Sequence, residues 1–218
     1  MNHKEAREAL REAGLTLVRE GLVARTWGNL SIKVDDGHFL ITPSGRAYET
    51  VKPEEMSLVS IDDLSWEGVL KPSSEKELHA RVYRCRPDVG AVVHTHQPAA
   101  SSLAAARKDC VVQDSFQDVL GKTIPCAPYA LPTTKPLAKA VEATVRKNDG
   151  VKAMLLANHG TACLGSGLDD AMKVASVLED FSQQEVLNSY ATMRGTSGSD
   201  LNALLGDYAQ SCGKGGAS

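Results

Sequence analysis

The chain has no excess of positive charge, no long apolar run and no paired-cysteine motif. Its formal net charge of −3 excludes the basic surface that non-specific nucleic-acid binding needs. No apolar run approaches the roughly 18 residues required to span a membrane. Met1-Asn2-His3-Lys4-Glu5 is polar and leads straight into a helical pattern, so no signal peptide is expected. Five cysteines (Cys85, Cys110, Cys126, Cys163, Cys212) are scattered, and none stands in Cys-x-x-Cys. They read as reduced thiols of a cytoplasmic protein. Internal repeats and linkers are also missing. What is present is a chain of 218 residues, 42% of them apolar, enough for a sizeable core.

Periodicity divides this chain into short strands and helices. Residues 3–20 form an amphipathic helix ended by Gly21. Leu30-Ser31-Ile32-Lys33-Val34 alternates as a strand, Asp35-Asp36-Gly37 signals a hairpin, and Phe39-Leu40-Ile41 returns beside it. A further strand is expected over 57–61. Pro72-Ser73-Ser74-Glu75 opens a helix carrying Leu78, Val82 and Tyr83, with Ser73 or Ser74 as N-cap and Glu75 in the first turn. The strand Ala91-Val92-Val93-His94-Thr95-His96 follows, then an Ala-rich helix from Pro98 to about Arg107. Prolines keep 124–129 extended. Helices are expected over 135–147 and 169–190, with an apolar strand over 152–157 ending at Asn158-His159-Gly160. The Gly/Ser-rich tail from Gly195 reads as mobile, with a possible short helix from Leu201 to Tyr208. The mixture, without a linker, predicts one α/β domain over 1–194, and the hairpins argue against a purely parallel sheet.

Two histidines two positions apart on a strand share a face, about 6.5–7 Å apart along the chain. Their imidazoles can converge on one cation. His159, at another strand end, would supply a third ligand, as in catalytic zinc sites that keep an open position. Against this, a single histidine at a strand end is usually structural or exposed. Glu75 is either a ligand or general base, or a carboxylate that merely complements the helix dipole. His79, one turn further on, is an alternative ligand or a core histidine. Three polar loops, at Gly28-Asn29, Ser44-Gly45 and Ser73-Ser74, could cradle a phosphate through N–H groups, hydroxyls and a helix N-terminus, without a lysine. Turns and caps use the same residues.

Taken together, Thr26-Trp27-Gly28-Asn29, Ile41-Thr42-Pro43-Ser44-Gly45, Lys71-Pro72-Ser73-Ser74-Glu75, Val93-His94-Thr95-His96 and Asn158-His159-Gly160 resemble the class II aldolase/adducin family in kind and order. Glu after Pro-Ser-Ser resembles the L-fuculose-1-phosphate aldolase branch. The spelling of Thr26–Asn29 and His94–His96 is closer to L-ribulose-5-phosphate 4-epimerases. The resemblance implies a three-layer α/β/α fold with a mixed, mainly antiparallel sheet. It implies Zn²⁺, or Mn²⁺ or Co²⁺, held by His94, His96 and His159 with Glu75 near or on it, and a phosphate site from Gly28, Asn29, Ser44, Gly45, Ser73 and Ser74. It also implies a four-fold homotetramer with sites at subunit interfaces. The reaction it implies is cleavage of a ketose 1-phosphate to dihydroxyacetone phosphate and an aldehyde, with the metal as Lewis acid and Glu75 moving protons.

The chain departs from that pattern in one region. The aldolase branch places a tyrosine proton donor after the paired histidines, where this chain reads Gln113-Asp114-Ser115-Phe116-Gln117-Asp118. Asp118 falls where epimerases place an acid–base aspartate, and is otherwise a solvated loop carboxylate; Tyr208 is a further candidate hydroxyl. A 4-epimerase, a decarboxylase of a 3-oxo sugar-acid phosphate and a scaffold domain without chemistry are the competing readings. The scaffold would be expected to have lost metal ligands that this chain keeps.

Overall fold

Helix α1 (His3–Arg19) begins at a reciprocal cap. The Asn2 side chain accepts from Glu5 N at 2.9 Å, and the Glu5 carboxylate accepts from Asn2 N at 3.1 Å. Its buried stripe, Ala6, Leu10, Ala13, Gly14 and Leu17, has helical spacing. Gly21 ends it at φ 70°, a left-handed conformation that glycine adopts without strain. The computed structural model describes residues 2–23 and 26–194. The expected mobile tail from Gly195, including the Leu201–Tyr208 helix and the Tyr208 hydroxyl, lies outside the described residues.

Strands β1 (Asn29–Lys33) and β2 (His38–Ile41) form the expected hairpin. In its turn, Asp35 Oδ1 accepts from Gly37 N at 2.8 Å. After β3 (Ser57–Ser60) and β4 (Trp66–Glu67) come α2 (Lys76–Cys85), β5 (Ala91–Thr95) and α3 (Pro98–Ala105). The remainder is β6 (Cys110–Val111), α4 (Gln117–Leu120), β7 (Thr123–Ile124), β8 (Cys126–Ala127), α5 (Lys135–Lys147), β9 (Ala153–Leu156), β10 (Gly160–Gly165) and α6 (Leu168–Arg194).

Eight strands form one sheet in the order β4-β3-β2-β1-β5-β10-β9-β8. Every pairing in it is antiparallel except β8 with β9. The period-2 alternation sends side chains into two apolar cores. Leu30, Ile32, Leu40 and Val93 pack with α1, α3 and α6 residues such as Leu10, Ala100 and Phe181. Phe39, Ile41, Val92 and Met154 pack with α2 and α5 residues such as Leu78, Val82 and Val141. The result is the α/β/α sandwich with a mixed, mainly antiparallel sheet that the motifs imply. Among the described residues no helix is long and apolar enough to cross a membrane, and Cys85, Cys110, Cys126 and Cys163 are free thiols.

Three local expectations need correction. Helix α2 starts at Lys76, so Glu75 is its N-cap residue and does not lie in its first turn; neither serine holds that position. Ser73 Oγ instead accepts from Glu75 N at 3.2 Å, from two residues ahead of the N-cap. His159 does not close a strand. It sits in the tight turn between β9 and β10, where Asn158 takes φ 53°, which asparagine tolerates better than most residues. β10 itself was not expected, because Gly160-Thr161-Ala162-Cys163-Leu164-Gly165 is small and bounded by glycines. Finally, β5 stops at Thr95, so His96 stands just beyond the strand.

Candidate active site

Sheet register brings the site together. β5 lies between β1 and β10, with Asn29 opposite His94 and Ala162 opposite His94 on the other side. The β9–β10 turn therefore delivers His159 beside the end of β5. The three imidazole rings stand 4.8–4.9 Å apart between centroids. Their candidate ligand nitrogens all fall within 4.8 Å of one another. His94 is fully buried.

Glu75 closes the cluster from the start of α2. Its Oε2 lies 3.1 Å from His94 Nε2 and its Oε1 3.4 Å from His159 Nε2. Asn29 Nδ2 donates to Oε2 at 3.1 Å, and Thr133 N donates to Oε1 at 3.3 Å. Burial would raise the Glu75 pKa, but His94, then His159 and Asn29, pull it well below the usual carboxylate range. The carboxylate is thus charged at neutral pH. Burial opposes charging His94, yet Glu75 beside it raises its pKa overall. His96 and His159 are pushed down to about 3 and about 4, by burial first and then by His94.

This donor set fits a divalent cation. His94 Nδ1 donates to Thr161 O at 2.6 Å, which leaves the Nε2 lone pair facing inward. His96 Nε2 lies only 3.0 Å from that atom, so two imidazole nitrogens point at one another. A shared proton or a cation relieves that opposition. Three imidazoles at the edge of a cavity, with one carboxylate beside them, form a donor set suited to a divalent metal ion. His159 Nδ1 is buried without a hydrogen-bond partner among the described residues.

Glu75, His96 and His159 border a cavity of about 310 Å³, within the size range of small-ligand sites. Gly28, Asn29, Ser44, Gly45, Ser73 and Ser74 all line it, with Glu75, His96 and His159. Hydrogen bonds from backbone amides tie these loops to each other. Ser44 N donates to Lys71 O and Ser73 N to Thr42 O, both at 3.0 Å, while Leu30 N donates to Thr42 Oγ1 at 3.2 Å. Gly28 is required twice over: its φ is 102°, and a Cβ there would lie 2.8 Å from His94 O. Among the described residues lining the cavity there is no lysine or arginine.

Asp118 is placed elsewhere. It is exposed on α4 and does not line this cavity. Reading the motifs alone missed Thr133, whose amide reaches Glu75 from φ 67°, and Thr161, whose carbonyl orients His94. No local pattern signals either one, because each acts through its backbone. His79 is not a ligand candidate in this geometry. It is fully buried beneath Asn29, to whose Oδ1 its Nε2 is bonded.

An α/β/α sandwich with this histidine cluster defines a class of protein that known sequences and structures make specific. Residues 8–186 match the family described as Class II Aldolase and Adducin N-terminal domain. The chain is 35% identical over 178 residues to 5-deoxy-D-ribulose 1-phosphate aldolase of Bacillus thuringiensis, covering 81% of this chain and 82% of that one. It is 35% identical over 180 residues to L-fuculose phosphate aldolase of Haemophilus influenzae, covering 82% and 81%. A solved L-fuculose 1-phosphate aldolase superposes with a TM-score of 0.79 at 27% identity, covering 94% of this chain and 96% of that one. The protein belongs to the class II aldolase and adducin N-terminal domain family, and within it to the aldolase-type lyases.

Proposed function

We propose that the protein is a divalent-metal aldolase, most suited to Zn²⁺, that cleaves a ketose 1-phosphate to dihydroxyacetone phosphate and an aldehyde. The observation that carries this reading is Glu75 spanning His94 and His159 at the wall of a cavity built from three polar loops. The aldolase names of the relatives support the substrate class.

A cation held by His94, His96 and His159 would supply Lewis acidity toward the ketose carbonyl. The loops Gly28-Asn29, Ser44-Gly45 and Ser73-Ser74 would bind the phosphate through amides and hydroxyls, so that its binding energy positions the reacting carbons. Glu75, charged at rest, would act as base in the condensation direction, taking a proton from the carbon beside the carbonyl. In cleavage it would return that proton to the same carbon. The Asn29 amide and the Thr133 N–H would hold Glu75 over that carbon.

A homotetramer with sites at subunit boundaries, in a cytoplasmic setting, belongs to the same reading. Trp27, Tyr129 and Leu131 are large exposed side chains beside the cavity-lining segments, which suits cover by a second subunit. Asp118, kept as an acid–base candidate, would have to serve a neighbouring chain's site.

The test incubates the purified chain with a panel of ketose phosphates, with and without added divalent metal. Metal-dependent release of dihydroxyacetone phosphate, abolished in His94→Ala, is the expected result. Interconversion of pentulose 5-phosphates without free triose phosphate would overturn the aldolase in favour of an epimerase.

A further inference from the structure

A line of buried polar groups runs behind Glu75, away from the cavity. Asn29 and Ser31 sit two apart on β1, and His79 and Tyr83 sit four apart on α2. Each pair therefore shares one face of its element. The contacts are continuous. Tyr83 OH meets Ser31 Oγ at 2.6 Å, Ser31 Oγ meets His79 Nδ1 at 2.7 Å, His79 Nε2 meets Asn29 Oδ1 at 2.5 Å, and Asn29 Nδ2 reaches Glu75 at 3.1 Å. Ser31 and His79 are fully buried, and Asn29 and Tyr83 nearly so.

Donor and acceptor rules allow this chain one direction. A charged Glu75 only accepts, so Asn29 must present its NH₂ to it. The Asn29 carbonyl then faces His79 and needs a donor, which puts the His79 proton on Nε2. A neutral imidazole protonated there accepts at Nδ1, so Ser31 must donate to it and accept from Tyr83. Reversing any link would turn the Asn29 oxygen toward the Glu75 carboxylate, and buried polar chains tolerate such mismatches poorly.

We propose that Tyr83, Ser31 and His79 are positioning residues that lock the Asn29 amide and thereby hold Glu75 in register with the cluster. They touch no substrate; they act only through Asn29. The proposal rests on the aldolase reading for its kinetic arm alone, since the tautomer can be read without turnover.

The experiment uses the full chain, metal-loaded, as wild type and as Ser31→Ala, Tyr83→Phe, His79→Leu and His79→Gln. Nitrogen-15 NMR of labelled histidine should show wild-type His79 protonated at Nε2 only, with a shift toward mixed tautomers in Ser31→Ala. In Ser31→Ala and His79→Leu, kcat should fall roughly 10- to 100-fold, with KM and bound metal little changed and a smaller loss in Tyr83→Phe. His79→Gln, which keeps a donor and an acceptor, should recover much of the loss. Wild-type His79 protonated at Nδ1, or unchanged kcat in an active enzyme lacking the Ser31 hydroxyl, would overturn the proposal. The expected tautomers in a protein that turns over no ketose phosphate would support the chain and defeat the aldolase reading.

Discussion

Strand β1 faces two environments built on different physics. Leu30 and Ile32 enter an apolar core with α1 and α6, while Asn29 and Ser31, one residue out of phase, enter a hydrogen-bonded line with α2. On the first face stability comes from area removed from water, which is non-directional and tolerant of small shifts. On the second, each group is held by the geometry of the next, so one lost partner disturbs the rest. Substitutions on the two faces should therefore separate stability from activity.

The largest separation is expected at Glu75 and Phe181. Glu75→Gln keeps the shape but cannot take a proton, and kcat should fall roughly 10²- to 10⁴-fold while the thermal midpoint moves little. Steady-state rates beside a melting curve check both halves. Phe181→Ala, in the apolar core of α6, should cost about 3–5 kcal/mol of stability, read by urea unfolding. Its folded fraction should retain wild-type metal content. A loss of activity per folded molecule there would blur the contrast.

A pH titration sharpens the comparison next. Burial holds the His79 pKa down to about 3, against about 6.5 for a free imidazole. Between those values the unfolded chain binds the extra proton, so stability rises with pH. This contribution is complete above the unfolded value and is lost as pH falls through the window. The urea midpoint of the metal-free chain should thus drop between neutral and mildly acidic pH, and less steeply in His79→Gln. The smallest effect is expected on the surface. Arg146 is paired with Glu142 at 2.9 Å across one helical turn but is well exposed. Arg146→Ala should cost only about 0.3–0.5 kcal/mol and leave catalysis untouched.

Those same two faces show what can be read from residues alone. The hairpin of β1 and β2, the paired histidines and all three polar loops carry local signals: alternation, turn residues and spacing. β10 carries none, since its glycines and small residues have little strand preference, and its pairing with β5 is a tertiary fact. Consequently His159 looked like a strand end when it is a turn residue. Glu75 looked like a first-turn carboxylate because Pro72-Ser73-Ser74 reads as a cap, whereas the helix starts at Lys76 and Glu75 itself is the N-cap residue. Glu75, His79 and Tyr83 stand at successive helical turns, but Asn29 reads as a loop residue because the expected strand begins at Leu30, so its shared face with Ser31 was not anticipated. That they meet depends on how α2 packs on β1.

In the proposed enzyme His94, His96 and His159, with Glu75, would form one metal centre. The direct measurement is bound divalent metal per chain after metal loading and exhaustive dialysis, in wild type and in His96→Ala, with folding checked by circular dichroism. One tightly held ion per wild-type chain, and its loss from a folded His96→Ala chain, is the expected result. Equal metal content in the two folded proteins, or none in either, would contradict it.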